Sequence, residues 1–262
     1  MKKLTVLRSA QIGVGAAALV FANLAGAATW DFANNGVAVS GSNSTSATVS
    51  GFAIANNSSG VINSGSTFAA ASLSDQGGSG RGMSTGTDSG SPTDAIDNNG
   101  NTELMAINFG TKVDLDSVTI GWSSTDADIS VLAYTGAGTP TNLSGQSNPI
   151  AGRSVSNLLA NGWSLIGHYA GVASSSAQTL AVNASNITSS WWLVSAFNSG
   201  FGGNTSGFNN NNDYVKLLAV AGSACKPGAP GCGGQQVSEP ATLALFGLAA
   251  LGIVAVRRRN AA

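Results

Sequence analysis

The sequence predicts an all-β protein: an antiparallel β-sandwich, jelly-roll-like, flanked by an N-terminal signal peptide and a C-terminal single hydrophobic helix. Two observations in the middle of the chain support the strands. Apolar residues alternate with polar ones at period two, and clusters of Gly, Asn and Ser recur at short intervals. Alternation marks half-buried strands, and such clusters form the turns between them. Lys and Glu, which favour helices, are scarce.

Residues 1–28 have the layout of a secretory signal peptide. Three basic residues lie among the first eight, an apolar stretch runs from Ile12 to Leu24, and small residues follow. We expect cleavage after Ala27 or Ala28. The folded body therefore begins at about residue 29.

Residues 29–222 are predicted to form the β-sandwich body. The first strand candidates are GVAVS, ATVSGFAIA and STFAAASL, and a polar, glycine-rich stretch from Asp75 to Asn101 predicts a long loop. The pattern then sharpens in ELMAINFG, KVDLDSVTIGW and DADISVLAYTG. It continues in WSLIGHYA, QTLAVN, SWWLVSAFN and DYVKLLAVAG, while SVSNLLANG predicts one short helical turn.

Residues 223–236 are predicted to be a linker closed by a disulfide. Cys225 and Cys232 stand in CKPGAPGC, where two prolines and two glycines permit a tight loop. Export would place both thiols in an oxidising compartment. A metal site would need further ligands, and the single histidine, His168, is far away in the sequence.

Residues 237–259 contain the predicted hydrophobic helix. Ala241 to Val256 is a run of sixteen uncharged residues, and Arg257, Arg258 and Arg259 follow at once. The run is short for a membrane span, which usually takes about 20 residues. The arginines predict a cytoplasmic end by the positive-inside rule. A buried C-terminal helix would explain the apolar run but not the arginines.

The order of motif, apolar run and arginines resembles the PEP-CTERM sorting signal of Gram-negative bacteria. The motif here is Val237, Ser238, Glu239 and Pro240, with Ser238 where that family usually has proline. The resemblance implies processing by an exosortase near Glu239 and Pro240. The chain would then contact the inner membrane only transiently, and its body would be released or attached at the cell surface.

The body is similar to a family of exosortase-dependent surface proteins. The motifs that carry this similarity are AIDNNG, LMAINF, VDLDSVTIGW, DADISVLAYTG and DYVKLLAV. The similarity implies a secreted surface protein associated with exopolysaccharide or biofilm, and it assigns no enzymatic activity.

Charge separates the body from the two terminal segments. The whole chain has a net charge of −1, but the part between the signal peptide and the sorting motif has five basic residues against eleven acidic ones, a net charge of −6. Nucleic acid is therefore excluded as a partner, because phosphate binding requires a basic patch. Cation binding stays open.

One oxygen-rich stretch, DAIDNNGNTE, is a candidate Ca²⁺ site. Ca²⁺ takes six to eight oxygen ligands, and alternate residues here could converge in a turn. The candidate ligands are Asp94, Asp97, Asn99, Asn101 and Glu103. The alternative is a solvated turn whose Asp and Asn side chains bond their own backbone.

Enzymatic constellations are weaker, and we expect a non-enzymatic protein. Paired carboxylates at Asp114, Asp116, Asp126 and Asp128 could serve glycoside hydrolysis, but they lie at predicted strand edges. No G-x-S-x-G elbow is present. The glycine-rich GSGRG at 78–82 has no strand–helix unit around it, so phosphate binding is not supported.

Adjacent tryptophans offer a candidate carbohydrate platform. Trp191 and Trp192 must point to opposite faces of a strand, so one is expected in the core and the other outside it or under a loop. The outer ring could stack on a sugar, although burial of both is the more common outcome. Two functions stay open: a non-enzymatic surface or matrix protein, and a carbohydrate-binding module, with or without dependence on Ca²⁺.

Overall fold

The computed structural model describes residues 27–84 and 94–225. These residues form twelve strands and one α-helix, so the predicted all-β class is confirmed. The strands are β1 (Ala28–Asp31), β2 (Ala38–Ser40), β3 (Ala47–Ala55), β4 (Ala69–Asp75), β5 (Arg81–Ser84), β6 (Ile96–Asp97), β7 (Asn101–Thr125), β8 (Ile129–Tyr134), β9 (Trp163–Tyr169), β10 (Gln178–Ala181), β11 (Thr188–Ala196) and β12 (Asp213–Ala224). The helix is α1 (Val155–Ala160).

The strands form one continuous sheet. Its order is β2-β1-β12-β5-β4-β3-β7-β11-β8-β9, with β10 on β7 and β6 on β12, and β12 also pairs with β7. Every one of these strand pairings is antiparallel, as predicted. Strands β12, β5, β4, β3 and β7 therefore close a ring. The expected sandwich of two separate sheets is replaced by one sheet that folds over on itself.

The long strand β7 joins the two layers of this sheet. Its first half, residues 101–109, pairs with β3 and β11, and its second half, residues 113–125, pairs with β12 and β10. The sequence predicted two strands here with a break at Gly110. A Cβ at Gly110 would lie 2.8 Å from Thr45 Oγ1. The Gly110 N–H donates to Ser46 O at 2.9 Å. The missing side chain thus lets the chain pass between the layers without a turn.

Two apolar cores lie on opposite faces of one layer. The larger core fills the space between the two layers and includes Trp30, Met105, Ile120, Val131 and Trp192. The smaller core lies between the outer face of the β3-β7-β11-β8 layer and the segment around α1; it includes Phe52, Leu104, Leu132, Leu158 and Trp163.

Helix α1 confirms the predicted helical turn. The Ser154 side chain accepts a hydrogen bond from Asn157 N, which is the usual N-cap arrangement. Val155 and Leu158 are its buried residues, and they close the smaller core. Strand β8 is consequently buried on both faces, whereas its alternating sequence predicted one.

The predicted loop from Asp75 to Asn101 contains two short strands, β5 and β6, among its described residues. Strand β5 pairs with β4 and β12, and β6 pairs with β12. Local composition favoured a loop, but burial of Met83 and Ile96 in the larger core stabilises the strands. Tertiary contact has overridden the local preference.

The predicted terminal segments fall largely outside the described residues. The signal peptide before residue 27, Cys232 in the linker, and the hydrophobic helix with its sorting motif belong to that part. Within the described ranges, no helix has the length and apolarity needed to cross a membrane. Cys225 follows β12, and its N–H donates to Lys112 O at 2.8 Å. The disulfide to Cys232 stays a prediction.

Candidate functional site

Three aspartates from two distant parts of the chain meet at one end of the sheet. Asp126 and Asp128 lie in the connection between β7 and β8, and Asp213 begins β12. One carboxylate oxygen of each lies within 4.8 Å of the others. Among the described residues, this is the group of three or more acidic, histidine or cysteine side chains placed to hold a metal ion. We call these three residues the acid cluster.

A tight turn places Asp126. Thr125 has a φ of 61°, and the Asp126 N–H donates to Ser124 O at 2.7 Å. The i to i+2 bond across a residue with positive φ defines a strained three-residue turn. The turn ends β7 and directs the chain toward the first residues of β12.

Backbone groups hold the two buried carboxylates. Asp213 is 0% exposed, and its Oδ1 accepts a hydrogen bond from Asp128 N at 2.9 Å. Asp128 Oδ1 in turn accepts from Gly171 N at 3.0 Å. The amide of Asn98 pairs with Asp213 twice: its Nδ2 donates to Asp213 Oδ2, and its Oδ1 accepts from Asp213 N. Both carboxylates are therefore fixed in place.

The third carboxylate belongs to Asp126, which is only half-buried. Its Oδ1 accepts from Ala127 N at 2.9 Å, and its Oδ2 accepts from Asn212 Nδ2 at 3.0 Å. The other end of that amide, Asn212 Oδ1, is buried and has no hydrogen-bond partner among the described residues. A buried oxygen without a partner costs free energy, and this one belongs to the amide that contacts Asp126, so a cation coordinated by oxygen atoms would satisfy it.

Burial dominates the titration of the cluster. The pKa of Asp213 is raised to about 8: burial is the main cause, the neighbouring Asp128 and Asp126 charges add to it, and hydrogen bonds from Asp128 N and Asn98 oppose it. Burial likewise raises the pKa of Asp128 to about 6. No ion pair within the described ranges compensates these charges. Ionisation of both carboxyls without a counter-charge is costly, and a bound cation would remove that cost.

Of the predicted Ca²⁺ ligands, Asp94 precedes β6, Asp97 ends it, Asn99 lies in the turn that follows, and Asn101 and Glu103 lie in β7; Ca²⁺ binding by this stretch stays a prediction. Asp97 and Glu103 are both buried; Asp97 Oδ1 accepts from Asn99 N at 2.8 Å, and Glu103 Oε2 accepts from Asp97 N at 3.3 Å. Asp94 is half-buried at the start of this segment. Asn99 is exposed and Asn101 half-buried. Asp97 Oδ1 thus bonds the backbone of its own turn, as the alternative interpretation expected, whereas Glu103 Oε2 reaches back to the backbone of β6.

Sequence reasoning missed three residues of the site: Asn98, Asn212 and Asp213. Asn98 lies inside the candidate stretch, but the predicted ligands are the alternating residues on either side of it. Asp213 is 85 positions from Asp128 and 115 from Asn98, and no local spacing joins residues so far apart. The usable signal was weaker: each of these residues lies in or beside one of the motifs AIDNNG, DADISVLAYTG and DYVKLLAV.

The other predicted aspartates, Asp114 and Asp116, do not join the cluster. They lie in β7 ten or more residues before Asp126, and Asp114 Oδ1 accepts from Asn183 Nδ2 at 2.7 Å. Burial, and for Asp114 the nearby Asp116 charge, raises the pKa of each. The four carboxylates considered for glycoside hydrolysis are therefore split between two places.

The adjacent tryptophans point to opposite faces of β11. Trp192 is 0% exposed in the larger core, where its Nε1 donates to Ser189 O at 3.0 Å. This excludes Trp192 as a stacking platform. Trp191 is half-buried against the smaller core, so a role in sugar stacking stays a prediction for Trp191 alone.

The single histidine has a structural environment. His168 Nε2 donates to the carbonyl of Gly202 at 2.7 Å, so Nδ1 is the acceptor for the Ser130 hydroxyl at 2.9 Å. Its ring contacts Phe197 edge-on with centroids 4.8 Å apart, and burial lowers its pKa. Ser130 is 0% exposed, which excludes it as an accessible nucleophile.

These features define an antiparallel β-protein with a buried acidic cluster, and the terminal sequence defines how it is sorted. The family model of the PEP-CTERM protein-sorting motif matches residues 236–259, which confirms the predicted signal. The chain is a PEP-CTERM sorting domain-containing protein. It is exported, processed by exosortase, and located at the surface or outside the cell.

Other comparisons add little. No curated protein matches the sequence. Among solved structures, the C-terminal domain of a chitobiase from Bacteroides fragilis is similar at 12% identity with a TM-score of 0.28. The similarity covers 48% of this chain and 66% of that one. At this TM-score the likeness supports no conclusion about fold or function.

Proposed function

We propose that the protein is a non-enzymatic component of the cell surface or extracellular matrix that associates with exopolysaccharide. The observation that carries the proposal is the sorting motif at residues 236–259, because it assigns delivery beyond the inner membrane. The body supports a binding or structural role. Its carboxylate with the most strongly raised pKa, Asp213, is fully buried, and so is Ser130, the hydroxyl partner of the half-buried His168, so neither Asp213 nor Ser130 meets a large substrate.

Cell fractionation combined with mass analysis of the mature protein tests delivery. We expect a chain cut near Glu239 and Pro240, lacking Arg257 to Arg259, in the surface or medium fraction together with the exopolysaccharide. A matched E239Q variant should stay in the membrane fraction at full length. A mature wild-type chain that keeps all three arginines contradicts processing. A processed chain that separates cleanly from the polysaccharide contradicts the association.

The second candidate function is carbohydrate binding that depends on Ca²⁺, with the ion held by the acid cluster instead of the predicted 94–103 stretch. Ligand oxygens around Ca²⁺ stand 2.3–2.6 Å from it, so two oxygens across the ion are at most about 5 Å apart. The 4.8 Å spread of the cluster meets that limit. Carboxylates from Asp126, Asp128 and Asp213 would hold the ion, and the amide oxygen of Asn212 stands beside them.

Thermal unfolding of the exported protein in EDTA and in Ca²⁺ tests this candidate. Since a bound ion stabilises the native state by mass action, we expect Ca²⁺ to raise the Tm of the wild type by about 5 °C or more. D126N should remove most of that shift, because it neutralises the most accessible ligand. D116N, which changes an exposed aspartate outside the cluster, should keep it. An unchanged wild-type Tm at millimolar Ca²⁺ contradicts the site.

A further inference from the structure

A cleft opens where β3 and β4 separate. The two strands pair only from Gly51 to Ala53, opposite Ala69 to Ala71. They meet closely there, since a Cβ on Gly51 would lie 2.8 Å from Ala71 O and 2.7 Å from Met83 Sδ. From Ser72 onward β4 pairs with β5 instead. The first half of β3, residues 47–50, therefore keeps β7 as its partner on one side and borders the cleft on the other.

This β3–β4 cleft is an open groove with a volume of about 600 Å³. That volume lies within the roughly 300–1,000 Å³ range of small-molecule sites. Its lining combines apolar side chains with small polar ones; among the lining residues are Val37, Val49, Leu73, Thr48, Ser50 and Asn148. A mixed lining of this kind suits a sugar ring, which presents apolar faces and hydroxyl edges.

One charged residue, Arg81, lines the cleft. Its side chain is only 5% exposed, yet it forms no ion pair within the described residues. Its hydrogen-bond acceptors are all neutral: Nε donates to Phe32 O at 3.0 Å, Nη1 to Asn35 Oδ1 at 3.2 Å, and Nη2 to Gly36 O at 3.3 Å. A guanidinium carries five N–H donors, so each terminal nitrogen keeps one N–H without an acceptor.

A buried cation without a counter-charge is costly, and an anion in the adjoining cavity removes that cost. Carboxylates, like phosphates, match the planar fork of a guanidinium, because two parallel N–H···O bonds can form. We propose that the β3–β4 cleft binds a carboxylate-bearing sugar, such as a uronic acid residue of an extracellular polysaccharide, with the carboxylate on Arg81. The choice of a sugar rests on the proposed association with exopolysaccharide; the carboxylate rests on Arg81 alone.

The chain offers a matched control in Arg153. This side chain is also 5% exposed and also donates only to neutral acceptors, namely Pro149 O, Asn157 Oδ1 and Thr141 O. The cavity it lines, however, is only about 120 Å³, which is below the usual range of ligand sites. R81Q and R153Q therefore remove the same kind of group from a large and a small cavity.

Calorimetric titration of the exported protein with oligogalacturonate, and with the neutral galactose oligomer of equal length, tests the proposal. EDTA is present throughout, so that Ca²⁺ held by the sugar or by the acid cluster plays no part. We expect the acidic oligomer to bind, and the neutral oligomer and the R81Q variant to bind about 10- to 100-fold more weakly, which is the worth of a charged hydrogen-bonded pair. R153Q should bind as the wild type does.

Two further arms keep the result interpretable. T48F places a ring in the cleft at a residue that does not hydrogen-bond to Arg81, and it should abolish binding. This variant provides the test if R81Q proves unfolded. Acetate and inorganic phosphate should not displace the oligomer at equal carboxylate or phosphate concentration; displacement by either overturns a sugar site. Equal affinity for acidic and neutral oligomers, or no binding of either, overturns the proposal. If the protein binds a neutral polysaccharide and R81Q does not change that binding, the proposed association with exopolysaccharide stands. Only the proposal that the cleft is the binding site is then overturned.

Discussion

The acid cluster and the β3–β4 cleft both contain buried charge without a counter-charge in the described structure, but they differ in shape. The cluster gathers three carboxylate oxygens within 4.8 Å and fixes them with backbone and amide hydrogen bonds. The cleft surrounds one guanidinium with about 600 Å³ of space. A small, rigid negative site accepts a bare ion, whereas a roomy positive site accepts an organic anion. Shape as well as sign therefore separates their ligands.

The largest effect that distinguishes the two sites is the pH dependence of stability. The folded pKa values of Asp213 and Asp128, about 8 and about 6, lie above the unfolded value near 3.8. The folded state then binds more protons than the unfolded state between these limits. Stability is fully present below pH 4 and is lost as pH rises through 6 and then 8. R81Q should leave this loss unchanged, because Arg81 shares no hydrogen-bond partner with the acid cluster.

Urea unfolding in EDTA from pH 4.5 to 9 measures that dependence. Subtracting the D213N curve from the wild-type curve isolates the contribution of Asp213, which should fall steadily from the start of this range and level off above a pH of about 8. Saturating Ca²⁺ should reverse the direction, because the ion favours the ionised carboxylates. If the wild type and D213N show the same curve in EDTA, the cluster is not a site of unbalanced charge.

The next largest effect is the loss of the Asp213 side chain. D213A leaves the Asp128 N–H without an acceptor and removes one partner from Asn98, in a place that water does not reach. We expect a loss of about 3 kcal/mol in the free energy of unfolding, from one unsatisfied donor and a small cavity. The measurement is made at pH 5, where Asp213 is protonated and charge repulsion does not enter. D116N at an exposed position should cost less than about 0.5 kcal/mol; a cost for D213A no larger than this would show that Asp213 has no structural role.

The paired arginine variants should have a smaller and equal effect on stability. R81Q and R153Q each remove three hydrogen bonds to neutral acceptors, so each should cost about 2 kcal/mol. Urea unfolding without ligand measures both. A markedly larger cost for R153Q would mean that Arg81 is already poorly held in the free protein. The opposite result would assign Arg81 a purely structural role and weaken the case for the cleft as a binding site.

The sequence predicted the strands well where alternation was strong. Ile129, Val131 and Ala133 point into the larger core as their spacing predicted. It failed where partners are distant. The outer face of β8 is buried by α1 and its flanking loops, and strand β5 is stabilised by pairing with β4 and β12. Neither contact produces a periodic pattern of apolar residues in the sequence.

The candidate sites show the same limit more sharply. Asp126 and Asp128 attracted attention as a spaced pair, but Asp213 completes them only because β12 returns to the end of β7. The 94–103 stretch supplied Asn98 to the cluster through its amide instead of supplying its own carboxylates. Arg81 lay in a glycine-rich stretch that indicated no ligand, and its cavity arises where the nearby strand β4 diverges from β3, which is distant in the sequence. Composition locates polar residues, whereas topology decides which of them share a site.

The smallest expected effect is the coupling between the two sites, and it is the most direct check that they are separate. Their hydrogen-bond partners do not overlap, but β12 links them: it begins with Asp213, and its Leu217 pairs with Arg81. Because sites without shared partners are usually additive within about 0.5 kcal/mol, the unfolding free energies of D126N, R81Q and the double variant should add to that precision. Likewise, R81Q should leave the Ca²⁺-induced Tm shift intact. A coupling energy above about 1 kcal/mol would mean that β12 transmits strain between the two sites. The cation site and the anion site would then be energetically coupled instead of independent.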